Sequence, residues 1–437
     1  MIPAKLPLLS AASSDQVIAW WRARPVRRDA FLCHVARVVR RLPAARYILN
    51  LCEDRYLFLV AFAAVAANGQ TNLLPSSRAN LHLQTLAEDY PDSGRVGDGD
   101  IEAWLTPEAV EEAMPAAPEL PGERVAAIAF TSGSTGRAKP NPKTWCELIG
   151  GARQAQRRFG FAPGMTIVAT VPPQHMYGLE TSIMTALASG ASIHGGRPFF
   201  PDDVRAALEA VPAPRVLVTT PIHLQACIQA DLRWPRPAFL ISATAPLSSA
   251  LATRAEAAFG APVLEIYGCT EAGSIASRRT LDGDRWRLYD GFQLREGHLS
   301  GAHLPEAVPL NDIVEACGAT AFKLLGRRED LVNVAGKRSS LDYLNHQLNA
   351  VAGVVEGVFL APAASETDAE RLAAVVVAPG LSERQVLAAL AERLDPVFLP
   401  RPLVKVDALP RNETGKLTRE ALSALIARPH QSAPVRS

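Results

Sequence analysis

From Val125 onward, short runs rich in β-branched residues alternate with amphipathic stretches. The runs are "VAAIAFTS", "TIVATVP", "RVLVTTP", "AFLISAT" and "PVLEIYG". Between them, helical spacing covers Trp145–Phe159, Leu179–Ala188, Asp202–Ala210, Ile222–Ala230 and Ser248–Phe259. A strand returning through a helix to a second strand pairs most readily in parallel. The pattern therefore predicts an α/β fold with mainly parallel sheets flanked by helices. Ligands of such sheets gather beyond the carboxyl ends of the strands, so the loops that follow these runs are the places to look for chemistry.

Upstream, residues 15–41 alternate apolar and basic positions at helical spacing. "ARYILNLCED" reads as a strand and turn, and Asp54–Ala67 as a helix ending near Asn68-Gly69. The apolar run Leu57–Ala67 is too short to cross a bilayer and reads as a buried helix. Near Asp330 the character changes. Residues 1–329 are expected to form a large N-terminal domain, and 330–437 a small α+β C-terminal domain. In the latter, "GVVEGVFLAP" and "RLAAVVVAP" read as strands, with helices at Ser382–Leu394 and from Glu420. The Ala/Pro-rich stretch 115–123 reads as a surface connector.

Net charge is +1 over 437 residues, which argues against a dedicated nucleic-acid or anionic-membrane binder. The six cysteines form no CxxC pair, so a zinc or disulfide scaffold is not expected, and reduced thiols in a cytoplasm fit. The first fifteen residues lack the apolar core of a secretion signal. Basic residues are nearly all Arg. Lys stands at only seven positions (5, 139, 143, 323, 337, 405 and 416), so each one is informative.

"FTSGSTGRAKP" (Phe130–Pro140) follows the first of the β-rich runs. A P-loop is excluded, because Gly136 is followed by Arg-Ala-Lys rather than Lys-Ser or Lys-Thr. Two readings remain. One is a solvated turn. The other is a phosphate-gripping loop in which Gly133 and Gly136 free backbone N–H groups, Thr131, Ser132, Ser134 and Thr135 add hydroxyls, and Lys139 adds charge.

The loop resembles the signature of the adenylate-forming superfamily, (Y/F)TSG(S/T)TGxPKG. That superfamily includes acyl- and aryl-CoA synthetases, aryl carrier-protein ligases, peptide-synthetase adenylation domains and luciferases. Ala138 replaces the usual Pro and Pro140 the usual Gly. Further motifs occur in the same order. "YGCTEAG" (Tyr267–Gly273) resembles YGxTE. The resemblance implies adenine against Tyr267 and Gly268, an α-phosphate contact from Thr270, and Mg²⁺ on Glu271. "SATAPL" (Ser242–Leu247) resembles an SGGAPL-like stretch, with Ala243 and Thr244 close to adenine and acyl group. "NDIVE" resembles the TGD motif and implies ribose binding by Asp312. "GRREDLVNVAGKR" resembles the hinge segment, with Arg327 toward ribose or phosphate, Asp330 as hinge, and Gly336 and Lys337 on a thiol channel. "PRNETGKLTREAL" resembles the C-terminal catalytic motif, with Lys416 as the catalytic lysine.

Taken alone, Glu271, Asp312 and Lys416 each read equally as solvated surface groups. The resemblance implies a large N-terminal and a small mobile C-terminal domain, with ATP and Mg²⁺ as cofactors. The implied reaction is carboxylate activation to an acyl-adenylate, followed by transfer to a phosphopantetheine thiol. The expected pocket walls are His175, Met176, Tyr177, Gly178, Thr181, Met184, Ile222, Ala243, Thr244 and Cys269. They are mostly apolar, which favours an aromatic or medium-chain acid, and the resemblance implies an aryl acid such as a hydroxybenzoate. The compact length is similar to carrier-protein ligases of aryl-polyene-type pathways, so an acyl carrier protein is the expected acceptor, with free CoA as the alternative. A non-catalytic nucleotide-binding regulator is the reading from another class.

Overall fold

The computed structural model describes residues 4–10, 13, 15–106, 116–131, 139–327, 331–334, 337–361, 372–412 and 417–427. It divides into two compact units. The first comprises residues 1–308 with 317–322, and the second 309–316 with 323–437.

The first unit is built on two sheets. In the larger, Val17–Trp21, Ser192–His194, Thr166–Ala169, Arg215–Thr219, Phe239–Ser242 and Val263–Cys269 lie side by side in that order, all parallel. Gly273–Arg279 then pairs antiparallel with Val263–Cys269, and Arg285–Leu288 antiparallel with Gly273–Arg279. In the second sheet, Ser93–Val96, Tyr47–Asn50, Thr71–Leu74 and Val125–Thr131 run parallel, and Lys139–Thr144 returns antiparallel at the edge. The expected helices are present as Trp145–Phe159, Pro201–Glu209, Pro221–Gln229 and Ser249–Phe259. The fold is thus the mixed α/β architecture that the alternation predicts.

Two local expectations change. Residues 15–41 are not one helix. Val17–Trp21 and Arg24–Arg27 form a hairpin, and the helix spans only Arg28–Val39. Val17, Ile18, Trp20 and Trp21 favour a pleated strand, and Arg22 and Ala23 turn the chain with φ of 51° and 59°. The Leu179–Ala188 stretch is also not a regular helix. A short turn at Met176–Gly178 leads into a π-helical segment, Leu179–Met184, and only Thr185–Ser189 is α-helical.

The helix Arg55–Ala67 is buried from Arg55 to Ala66 and packs against strands of both sheets. A helix apolar on every face has to be interior. Asp54 caps it by accepting from the N–H groups of Tyr56 (2.8 Å) and Leu57 (3.0 Å). Its first residue, Arg55, is fully buried. The guanidinium donates to the Ser182 hydroxyl (2.7 Å) and to the carbonyls of Ala169 (2.9 Å) and Val171 (2.6 Å). Burial lowers its pKa to about 9, which leaves it cationic at neutral pH.

In the second unit, Glu356–Leu360 pairs antiparallel with Ala373–Val377, which pairs parallel with Leu403–Lys405. Helices Leu341–Asn349 and Glu383–Ala391 close one core around Leu344, Leu348, Phe359, Val376, Val386 and Leu390. Helix Arg419–Ala427 contributes Leu422 to a second core with Val375 and Leu409. None of the six cysteines is paired in a disulfide. Among the described residues no helix is long and apolar enough to cross a membrane.

Two outcomes follow. Arg55→Met leaves two strand-end carbonyls without their donor and lowers unfolding free energy by about 3 kcal/mol in urea titration at pH 7, with a smaller loss for Arg55→Lys. His34, hydrogen-bonded through Nδ1 to Tyr56 Oη at 2.6 Å, has its pKa pushed down to about 4 by burial. The unfolded chain takes up that proton near pH 6.5, and the folded chain does not until about pH 4. Stability contributed by the neutral ring is therefore complete above pH 6.5 and is lost as pH falls toward 4. Thermal midpoints recorded from pH 7 to 4.5 should fall more steeply for the native chain than for His34→Gln.

Candidate active site

The strands of the larger sheet end where the motifs begin. Phe239–Ser242 leads directly into Ala243 and Thr244. Thr244 has φ +79°, a costly conformation for a β-branched residue. The segment is held by Glu265, 3% exposed, which accepts from the Leu247 N–H at 3.0 Å. Glu265 also accepts from Arg278 Nε (2.7 Å) and Thr280 Oγ1 (2.6 Å). A buried carboxylate with three donors fixes the loop next to the strand Val263–Cys269.

That strand and Gly273–Arg279 form a hairpin whose turn is Thr270-Glu271-Ala272. The ladder slips between Tyr267 and Gly268. At Gly268 a Cβ would collide with the backbone of Gly273 and Ser274, so only glycine allows the two strands this approach. The Tyr267 ring lies 5.6 Å from the rings of Trp286 and Phe322. Cys269 is partly buried, and burial pushes its thiol up to about 11, so it is neutral at physiological pH.

Lys139 opens the strand Lys139–Thr144, with its side chain 68% exposed. Its Nζ lies 3.9 Å from Glu271 Oε1. The edge of one sheet and the hairpin of the other therefore bring the cation of the first motif to the carboxylate of the second. Among the described residues no group of three or more His, Cys, Asp or Glu could hold a metal. Glu271 is 37% exposed and offers one hard oxygen donor set. That suits Mg²⁺, which binds through one or two carboxylates and completes its shell with water and phosphate oxygens.

Elsewhere at the strand ends, His175 precedes the turn Met176–Gly178. Tyr177 Oη bridges the carbonyls of Thr219 (2.9 Å) and Ile241 (3.0 Å), strapping two strand ends together. Thr181 Oγ1 donates to the Tyr177 carbonyl at 2.5 Å. Gly178 faces the Pro172 carbonyl so closely that no side chain fits. Met184 is fully buried in the core, and Ile222 stands 41% exposed on the helix Pro221–Gln229. Asp312 begins the strand Asp312–Ala316 in the second unit. Ser132, Gly133, Ser134, Thr135, Gly136, Asp330, Gly336 and Lys416 lie outside the described residues, as do the side chains of Thr131, Arg327 and Lys337.

Sequence reasoning passed over a charged cluster behind the turn. A narrow recess is lined by Lys143, Glu147, Met176, Glu180, Gly273 and His303, among others. Burial raises the Glu180 carboxyl, while the Ser274 hydrogen bonds and the charge of Lys143 act in the opposite sense. His303 is held down to about 4 by burial and remains neutral. Lys143 was a signal available from the scarcity of lysine. Glu180 had none.

Residues 40–295 match the AMP-binding enzyme family. A 4-coumarate–CoA ligase of Rhodobacter capsulatus is 28% identical over 393 residues, spanning 83% of this chain and 98% of its own length. The ATP-bound MatB of Rhodopseudomonas palustris has the same fold, with a TM-score of 0.82 at 20% identity over 94% of this chain and 96% of that one. The O-succinylbenzoate coenzyme A synthetase (MenE) of Bacillus subtilis, in complex with ATP and magnesium ion, gives 0.79 at 16% identity over 96% and 100%. The chain belongs to the AMP-binding enzyme family.

Proposed function

We propose that this enzyme condenses an aromatic carboxylic acid with ATP and passes the acyl group to a pantetheine thiol. The observation that carries the reading is the 3.9 Å approach of Lys139 to the Glu271 carboxylate, which joins two distant motifs at the carboxyl ends of the strands. A carboxylate is a poor acyl donor because oxide is a poor leaving group, and coupling to AMP supplies a good one. The attack brings two anions together, so the task of the protein is positioning and charge compensation.

In this reading Thr131, Ser132, Gly133, Ser134, Thr135, Gly136 and Lys139 grip the outer phosphates. Thr270 donates to the α-phosphate and Glu271 holds the metal. When bound, Mg²⁺ neutralises charge on the phosphate oxygens. Tyr267, Gly268 and Thr244 flank adenine, and Asp312 with Arg327 takes the ribose. Lys416 sets its cation between the attacking carboxylate and the α-phosphate. After pyrophosphate leaves, rotation about Asp330 exchanges Lys416 for Gly336 and Lys337, which border the thiol channel. His175, Met176, Tyr177, Gly178, Ala243 and Cys269 wall the acyl pocket, with Met184 behind them and Ile222 at the rim.

The name of the Rhodobacter capsulatus relative supports an aromatic acid and favours CoA as acceptor. An acyl carrier protein presents the same pantetheine thiol and is the second reading. Rates with CoA and with a phosphopantetheinylated carrier protein, compared at equal thiol concentration over a panel of hydroxybenzoates and cinnamates, decide between them.

Lys416→Ala should lower acid-dependent ATP–pyrophosphate exchange by about 100-fold or more, since its charge acts at the point of anion repulsion. Thiolysis of a supplied acyl-adenylate should stay within a few-fold of the native rate. Equal loss of both half-reactions would overturn the assignment of Lys416 to adenylation.

A further inference from the structure

Lysine is almost never fully buried without partners, yet Lys143 is 5% exposed. Its ammonium donates to the backbone carbonyl of Glu271, 128 residues away. It also lies 3.4 Å from Glu147 Oε1. Glu147 is engaged elsewhere. Its Oε2 accepts from the Thr144 N–H and hydroxyl, both at 2.8 Å, closing a capping box on the helix Trp145–Phe159. The Lys143 stem is thereby set by the start of that helix, and its charge is delivered to the turn.

The strand that leaves the turn is held as well. Glu180, on the π-helical segment, accepts from the Ser274 N–H (3.0 Å) and the Ser274 hydroxyl (2.6 Å). Gly273 makes the reach possible. It has φ +75°, and a Cβ there would strike the Glu180 carboxylate. Strand pairing stops at Cys269 and Gly273, so Thr270-Glu271-Ala272 has no ladder of its own. Its position depends on what holds its flanks.

We propose that Lys143 and Glu180 are positioning residues that hold the Thr270–Ala272 turn at two points, the Glu271 carbonyl and Ser274, and so fix where the Glu271 carboxylate is presented. Neither touches reacting atoms. Lys143 holds the main chain of Glu271 while Lys139 faces its side chain, so two cations divide the backbone and the carboxylate of one residue. The proposal rests on the reading of Glu271 as the metal ligand, and it predicts consequences with and without metal.

The test uses the full-length enzyme with Lys143→Met, Lys143→Arg, Glu180→Met, Glu180→Gln, Ser274→Ala and Glu271→Gln. Without nucleotide or metal, hydrogen exchange in the peptide spanning 268–275 should quicken in Lys143→Met and Glu180→Met, and recover in Lys143→Arg and Glu180→Gln. With ligands, the magnesium concentration for half-maximal binding of a non-hydrolysable ATP analogue, read by calorimetry, should rise about tenfold in Lys143→Met, as for loss of an outer partner of a metal ligand. KM for the acid should stay within twofold. Ser274→Ala removes one donor and no charge, and should shift both readouts by a smaller factor. It decides the matter if the methionine variants do not fold. Native-like exchange and an unchanged magnesium requirement in folded variants would overturn the clamp, as would a lower melting temperature with no change in either readout. If Glu271→Gln leaves the magnesium requirement unchanged, the metal reading fails instead, while the exchange data still judge the clamp.

Discussion

The Arg55 guanidinium is the point through which the first unit is tied together. It leaves the first turn of a helix that packs against both sheets and spends its donors on the carbonyls of Ala169, last in its strand, and Val171, two residues beyond, and on a hydroxyl of the π-helical segment. No carboxylate receives one of those hydrogen bonds. The cation is held by fixed backbone dipoles, whose geometry cannot relax as a side chain can. The loop leading to His175 and the segment bearing Glu180 thus inherit their places from one buried charge. Removing a buried donor of this kind costs more than its hydrogen bonds contribute net, because its acceptors are left dry.

Around that tie, the site is assembled from ends of strands. Each parallel strand supplies the start of a loop, and the loops are then fixed by side chains reaching back from neighbouring elements. Glu265 holds the stretch after Phe239–Ser242, Tyr177 bridges two strand ends, and Lys143 reaches the hairpin turn. The rigid part of the molecule is the sheet. In the proposed reading the chemistry sits at the strand ends, on backbone whose conformation is costly at Thr244 and open only to glycine at Gly268.

Much of this was legible beforehand. Strand and helix alternation from Val125 to Cys269 was readable because burial on both faces of a parallel sheet leaves continuous apolar runs. Asp54 as a cap, and Thr144 with Glu147 as a capping box, are local signals that need no tertiary information. The hairpin at Val17–Arg27 was not legible. Its basic residues fall at spacings that mimic a helix, and only the pairing of Ile193 with Ala19 shows what the apolar ones face. The motifs named Lys139 and Glu271, but the use of Lys143 depends on a carbonyl 128 residues away, and no local pattern encodes that. The π-helical segment was likewise invisible, because its amphipathic spacing differs little from that of an α-helix.

That segment carries an evolutionary implication. A π-turn is one residue of surplus in a helix. Excising a single residue between Leu179 and Met184 would restore regular α-helical winding and rotate everything on one side of the cut by about 100° relative to the other. Anchored downstream by the core packing of Leu187, the helix would carry Glu180 round its axis and away from the hairpin. The extra residue thus behaves as a spacer, and a lineage that lost it would have to find another acceptor for Ser274.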